Sequence, residues 1–247
     1  MGKVITVASG KGGTGKTTTV AVVSSCLAAM GHKTLCVDFD AGLRNLDLSL
    51  GMADYAVADF MDVLGGDMDL MDACHEHPRI PNLFFLAAPT TIGPAAPEAE
   101  GLLPMFERIK AEFEYCFVDS PSGIGAYFRL AHKCADMSII VTTGELSAVR
   151  DAQMAAEAVR EMGVGELRLL VNRVLPGNFR LIRTTVDDII DTVGVRLLGL
   201  AREDRCVFLA LHENTPLVLY RKRRSAYDFL DAARRITGED VPTRFRR

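Results

Sequence analysis

The chain has 247 residues, with 28 Lys/Arg against 32 Asp/Glu for a formal charge of −4. Hydrophobic residues make up 49% and charged residues 24%, which excludes a disordered chain or a uniformly basic coat for nucleic acid and suits one large α/β domain with a sizeable core. No apolar run reaches the roughly 20 residues of a membrane span, and no secretory leader is expected.

Met1-Gly2-Lys3-Val4-Ile5-Thr6 fits the N-myristoylation pattern, but Lys3–Ala8 reads as a buried first strand, and the strand is the expectation. Next comes Gly10-Lys11-Gly12-Gly13-Thr14-Gly15-Lys16-Thr17. It matches G-x-x-x-x-G-K-[ST] and opens a helix expected over Lys16–Met30. The glycines let backbone N–H groups converge on phosphate oxygens, and the helix N-terminus adds partial positive charge. Lys16 is then the side chain for the β- and γ-phosphates, and Thr17 offers a hydroxyl to Mg2+. Gly10, Gly12 and Gly15 also spell the G-x-G-x-x-G of a dinucleotide fold, with Asp38 at the end of the second strand. Lys16-Thr17 favours the phosphate loop, because a dinucleotide site has no use for a lysine and a magnesium hydroxyl there.

The second strand is expected over Thr34–Phe39, and alternation puts Asp38 and Asp40 on one side of its exit. Two carboxylates there call for partners, and Mg2+ and an attacking water would supply them. Cys74-His75-Glu76-His77 has a metal-like composition, but its spacing matches no zinc pattern and Pro78 follows, so a solvated loop is expected. After a strand over Leu83–Ala87, the Pro/Ala-rich run 87–104 reads as a loop leading into a helix over Pro97–Glu112. The apolar strand Tyr115–Val118 ends in Asp119, the arrangement in which a carboxylate holds Mg2+ directly or through water. Pro121 and Gly123 behind it suit a loop whose backbone approaches phosphate.

Further strands are expected over Ser138–Thr142, Leu167–Val171 and Val195–Leu200, with helices over Val149–Met162, Leu181–Val193 and Ser225–Ile236. Several strands are almost wholly apolar, as strands buried on both faces are. The alternation predicts an α/β fold with a doubly wound, mostly parallel sheet and helices on both faces, in a single domain spanning 1–247. Ligands in such sheets bind beyond the carboxyl ends of the strands, where the phosphate loop, Asp38 and Asp119 all fall. The cysteines at 26, 36, 74, 116, 134 and 206 form no C-x-x-C pair, so reduced, largely buried thiols are expected. Residues 221–247 hold nine Arg/Lys and four Asp/Glu, net +5, so residues 1–220 carry −9.

The minimal motif leaves Lys11 unexplained. The string Lys11-Gly12-Gly13-Thr14-Gly15-Lys16-Thr17-Thr18 resembles the deviant Walker A loop of the MinD/ParA family. The resemblance implies that Lys11 reaches the partner's phosphates in a nucleotide-sandwiched dimer, a cation supplied in trans. Asp38-Phe39-Asp40-Ala41-Gly42-Leu43-Arg44-Asn45-Leu46-Asp47-Leu48 resembles the family's switch I. By that likeness Asp40 positions water, Asp38 supports the magnesium shell and Asn45 responds to the γ-phosphate. Asp119-Ser120-Pro121-Ser122-Gly123 resembles switch II, with Ser122 for the family's Ala and Gly125 for its Glu. Thr142–Asp151 resembles a further family segment, without the Asn-Pro before Glu145, and Asn172-Arg173 stands where the family's Asn reads adenine.

The likeness runs from Lys3 to about Phe245, and Gly238–Phe245 resembles the family's closing segment. The membrane-binding helix that follows in the family is not expected in 238–247, so membrane contact through it is not expected either. The basic stretches Arg221–Arg224 and Arg244–Arg247 read as solvated charge, or as a DNA-phosphate contact like that of partition ATPases. The resemblance implies ATP and Mg2+, a homodimer formed on ATP, hydrolysis that resets it, and division-site placement through MinC-like and MinE-like partners. It implies a cytoplasmic protein, peripheral at the inner face of the cell membrane. The alternatives are a partition ATPase binding DNA non-specifically, a flagellar-number ATPase, and a nucleotide-binding scaffold that never hydrolyses.

Overall fold

The computed structural model describes residues 1–40, 44–55, 58–90, 99–175, 177, 184–220 and 224–244. Its strands are β1 (Lys3–Ala8), β2 (Thr34–Asp38), β3 (His75–Glu76), β4 (Leu83–Leu86), β5 (Tyr115–Asp119), β6 (Met137–Thr142), β7 (Glu166–Val174) and β8 (Leu197–Arg202). They form one sheet in the order β3-β4-β2-β5-β1-β6-β7-β8, parallel throughout except for the β3–β4 edge. The helices are α1 (Lys16–Ala29), α2 (Leu46–Leu50), α3 (Phe60–Gly65), α4 (Leu70–Ala73), α5 (Ala99–Glu112), α6 (Ala126–Lys133), α7 (Leu146–Glu161), α8 (Val186–Val193), α9 (Arg205–His212) and α10 (Arg224–Ile236).

The sheet is covered on both faces, and alternation along each strand divides the cores. Ile5 and Val7 of β1 pack with Val20, Val23 and Leu27 of α1 and with Phe229 of α10. Val4 packs on the other face with Phe106 and Ile109 of α5. Between the sheet and α10, α1 has no polar face. Ser24 and Ser25 are buried in it and donate back to the Val20 and Ala21 carbonyls, each at 2.6 Å.

The seven strands of the parallel sheet form where expected, with shifted ends. β7 continues two residues beyond Asn172, and α7 starts three residues before Val149. The helices without a sequence signal, α2, α3, α4, α6 and α9, are one or two turns long, too short to show a period. Caps define some of them instead: Asp59 and Asp62 form a capping box on α3, and Asp69 and Asp204 cap α4 and α9. The solvated loop expected at Cys74–His77 is corrected. His75–Glu76 pairs with β4, and His77 is buried, its Nε2 donating to the Leu50 carbonyl at 2.9 Å. His77 Nδ1 accepts the Arg79 and Ile80 N–H groups at 3.0 Å, so the ring pins a turn. Among the described residues no group of His, Cys, Asp and Glu side chains forms a metal cluster. Five of the six cysteines are buried and all are free thiols. The expectations on residues 41–43, 91–98, 181–183, 221–223 and 245–247 lie outside the described residues. No described helix is long and apolar enough to cross a membrane.

Candidate nucleotide site

β1 lies between β5 and β6. The chain leaves β1 toward β2 on one side and passes from β5 to β6 across it, so the carboxyl end of β1 is the switch point where open sheets bind ligands. The loop from Gly10 to Gly15 fills that point and Lys16 opens α1. Gly13 and Gly15 have φ of +80° and +96°, values that suit glycine. At Gly10 the requirement is space, because a Cβ would lie 2.0 Å from the Asp151 carbonyl oxygen of α7. The Ser9 hydroxyl donates to the Lys11 carbonyl at 2.7 Å, and Thr14 is buried beneath the loop.

Lys16 is buried. Desolvation lowers its pKa, and the charges of Asp119 and Asp40 oppose that shift. Asp38 ends β2 directly beside Asp119 at the end of β5. Asp38 Oδ1 accepts the Asp40 N–H at 2.8 Å and Oδ2 accepts the Leu46 N–H at 3.4 Å, which ties both ends of the 40–46 segment to one carboxylate. Burial, with the neighbouring Asp119 charge, pushes its pKa up to about 8. Burial likewise pushes Asp119 up to about 7, against a hydrogen bond from the Thr17 hydroxyl and the Lys16 charge. Asp119 Oδ1 is buried and accepts no hydrogen bond. Asp40 is half-buried, raised by that burial and lowered by Lys16.

An orphaned buried carboxylate oxygen beside a threonine hydroxyl is a hard oxygen set of the kind Mg2+ takes when phosphates and waters complete its shell. The residues present therefore fit the ion, with Thr17 and Asp119 as its holders and Asp38 next to them.

The other expected residues surround this centre. Lys11 Nζ contacts Glu145 Oε2 at 3.3 Å, at the end of the β6–α7 connection, and Ser147 Oγ at 3.0 Å, in the first turn of α7. Thr18 lines a small recess with Ala21, Val22, Ser49 and Val207. Asn45 is exposed just before α2, and Gly123 has φ +85° in the loop after β5. Gly125 caps α6 with open space around a built Cβ, so a larger residue would fit. Asn172 is buried and donates to the Thr14 carbonyl at 2.9 Å, while Arg173 has φ +55° and pairs with Glu203 at 2.7 Å. The sequence pattern carries no sign of the Lys11–Glu145, Asn172–Thr14 or Gly10–Asp151 contacts, since their partners lie more than 130 residues apart.

A parallel sheet with a glycine loop, buried lysine and paired carboxylates at its switch point defines a P-loop nucleoside-triphosphate-binding protein. A family profile described as an AAA domain matches residues 2–164. The septum site-determining protein MinD of Synechocystis sp. is 38% identical over 244 residues, 98% of this chain and 92% of that protein. The fold superposes on MinD in the MinC:MinD cell division complex of Aquifex aeolicus with a TM-score of 0.91 at 33% identity, covering 99% and 98% of the two chains. It superposes on the septum site-determining protein MinD of Pyrococcus horikoshii, complexed with Mg-ADP, with a TM-score of 0.82 at 28% identity over 96% of each chain. The chain belongs to the MinD family of P-loop ATPases.

Proposed function

We propose that the chain is an ATP-driven switch in division-site placement, closing into a homodimer on ATP and reset by hydrolysis. The observation that carries the nucleotide chemistry is the unpartnered Asp119 Oδ1 beside Thr17 and the buried Lys16. Lys16 holds the phosphates from its own chain, and Thr17 and Asp119 hold Mg2+, with Asp38 supporting them. Bound Mg2+ supplies charge neutralisation to the phosphates. Gly10, Gly12, Gly13, Thr14, Gly15, Thr18, Asn45 and Gly123 form the rest of the cradle, and Asn172 and Arg173 its far wall. Asp40 accepts a hydrogen bond from the attacking water; burial raises its pKa and the Lys16 charge opposes that shift.

Lys11 is the dimer-dependent group. Its contact with Glu145 is half-exposed and contributes at most about 1 kcal/mol. A phosphate presented by a second copy therefore takes it with little opposition. The likeness to MinD and to a MinC:MinD complex supports a MinC-like partner, and a MinE-like regulator completes the reading. The proposed location is the cytoplasm, with peripheral work at the inner face of the cell membrane, and co-sedimentation with vesicles in ATP tests it.

The deciding experiment combines light scattering with ATPase assays. Wild type is expected to be monomeric in Mg·ADP and to hydrolyse Mg·ATP. Asp40→Ala is expected to dimerise in Mg·ATP, and both it and Lys11→Ala to hydrolyse at least about 100-fold more slowly. Two variants at the wild-type rate would overturn the assignment. DNA retention at low salt, falling steeply as salt rises, would favour the partition reading instead.

A further inference from the structure

The side chain of Asn172 faces the phosphate loop by alternation along β7: Leu170 packs on the α1 face, while Leu169 and Val171 pack on the other. The β7–β8 register shifts between Val171 and Val174, and Arg173 within the shift has φ +55°. The extra residue follows Asn172 and returns Val174 to the face of Val171. Arg173 pairs with Glu203 at 2.7 Å, and the Glu203 N–H bonds the Val174 carbonyl at 3.1 Å. The Asn172 amide lies under the loop, where Nδ2 donates to the Thr14 carbonyl at 2.9 Å. The approach is so close that a Cβ on Gly15 would lie 2.1 Å from Nδ2. No described peptide is cis. In a planar trans peptide the C=O and the following N–H point in opposite directions, so fixing the Thr14 carbonyl toward Asn172 turns the Gly15 N–H away from it.

We propose that Asn172 is a positioning residue for phosphate binding, acting through the Thr14 carbonyl to set the last peptide of the loop before Lys16. This deepens the nucleotide reading and rests on it. It also separates two roles for the same side chain. A residue that reads only the base affects nucleotides and leaves a bare polyphosphate alone. A residue that sets the loop affects both.

The test compares Mg·ATP with inorganic triphosphate and Mg2+, which has no base, on wild type, Asn172→Asp and Asn172→Ala. Asn172→Asp keeps the shape but replaces the donor with a negative charge that repels any polyphosphate, so Asn172→Ala carries the comparison between the two probes. Expected is a loss of about tenfold in affinity for both probes, by the same factor within error. An unchanged triphosphate affinity beside weakened ATP binding would overturn the proposal in favour of base reading alone. If neither variant folds, wild type labelled at asparagine amides decides. The Asn172 Nδ2 resonance is expected to shift on triphosphate alone, and a shift that needs the nucleoside overturns the idea. Wild type that binds neither probe overturns the nucleotide reading itself, and this inference with it.

Discussion

Asp38 and Asp119 at the carboxyl edge of the sheet are each 1% exposed, and Asp228 and Asp231 on α10 are 4% and 2% exposed. All four are buried carboxylates, yet their surroundings differ. Asp228 takes two guanidinium nitrogens of Arg202 at 2.7 and 2.8 Å and the Arg202 N–H at 3.1 Å. Asp231 takes the guanidinium of Arg244, which also lies over the Tyr227 ring. At the other end Asp38 faces Asp119, and Asp119 keeps one oxygen without a donor. On α10 the charges are matched within the chain and clamp the last helix to β8. At β2 and β5 the charge is held for something that arrives later, and a bound phosphate and ion make up the difference. The same comparison changes the meaning of the basic C-terminal segment. Arg234 pairs with Glu239, Arg235 donates to the Leu198 and Val241 carbonyls, and Arg244 is taken by Asp231. These three cations serve the fold first.

Substituting one member of each region tests the contrast most strongly. Asp119→Asn removes a buried charge, one of whose oxygens has no donor. The nucleotide-free variant at pH 8 is expected to be more stable than wild type by about 1 kcal/mol, while its Mg2+-dependent ATP affinity falls about 100-fold. Urea unfolding and calorimetric titration read the two effects separately. A variant less stable than wild type without nucleotide would break the comparison, because Asp119 would then be matched within the chain. Asp228→Asn is the mirror image. It removes the buried carboxylate that takes two Arg202 guanidinium nitrogens and is expected to lose about 2 kcal/mol of stability with ATP affinity unchanged. A parallel loss of affinity would show that the α10 clamp and the nucleotide edge form one unit.

Much of this was legible because local chemistry wrote it. The loop from Gly10 to Thr17 needs its glycines for φ and space, and Asp38 and Asp119 follow apolar runs that have to be buried strands. The parallel sheet followed from that alternation. Three other features were not legible. His77 reads as part of a polar loop until its two ring nitrogens are seen to pin a turn with Leu50, Arg79 and Ile80. Arg244 reads as a free basic tail residue until Asp231 is found 13 residues earlier on a helix face. Asn172 could be placed at a strand end, but its bond to the Thr14 carbonyl joins residues 158 positions apart. Each depends on tertiary contact, which neither periodicity nor motif spacing records.

The smallest expected effect lies in pH. The folded-state pKa of Asp38 is raised to about 8 and that of Asp119 to about 7, both above the unfolded value near 3.9. The folded nucleotide-free protein therefore binds more protons than the unfolded chain across that interval, and its stability falls as pH rises. The stabilisation is complete below about pH 4 and is lost as pH passes through 7 to 8. Carboxylates such as Asp204, Glu114 and Glu166 are shifted the opposite way, so their contribution is lost only in acid, below this window. From pH 6 to 8.5 the Tm of nucleotide-free wild type is expected to drop by about 5 °C more than that of Asp38→Asn. Mg·ADP should flatten the wild-type curve, because neutralising the two carboxylates by an ion removes the reason to hold a proton. A wild-type Tm that rises across this window would mean that the pair is already compensated inside the chain, and the distinction from the α10 clamp would disappear.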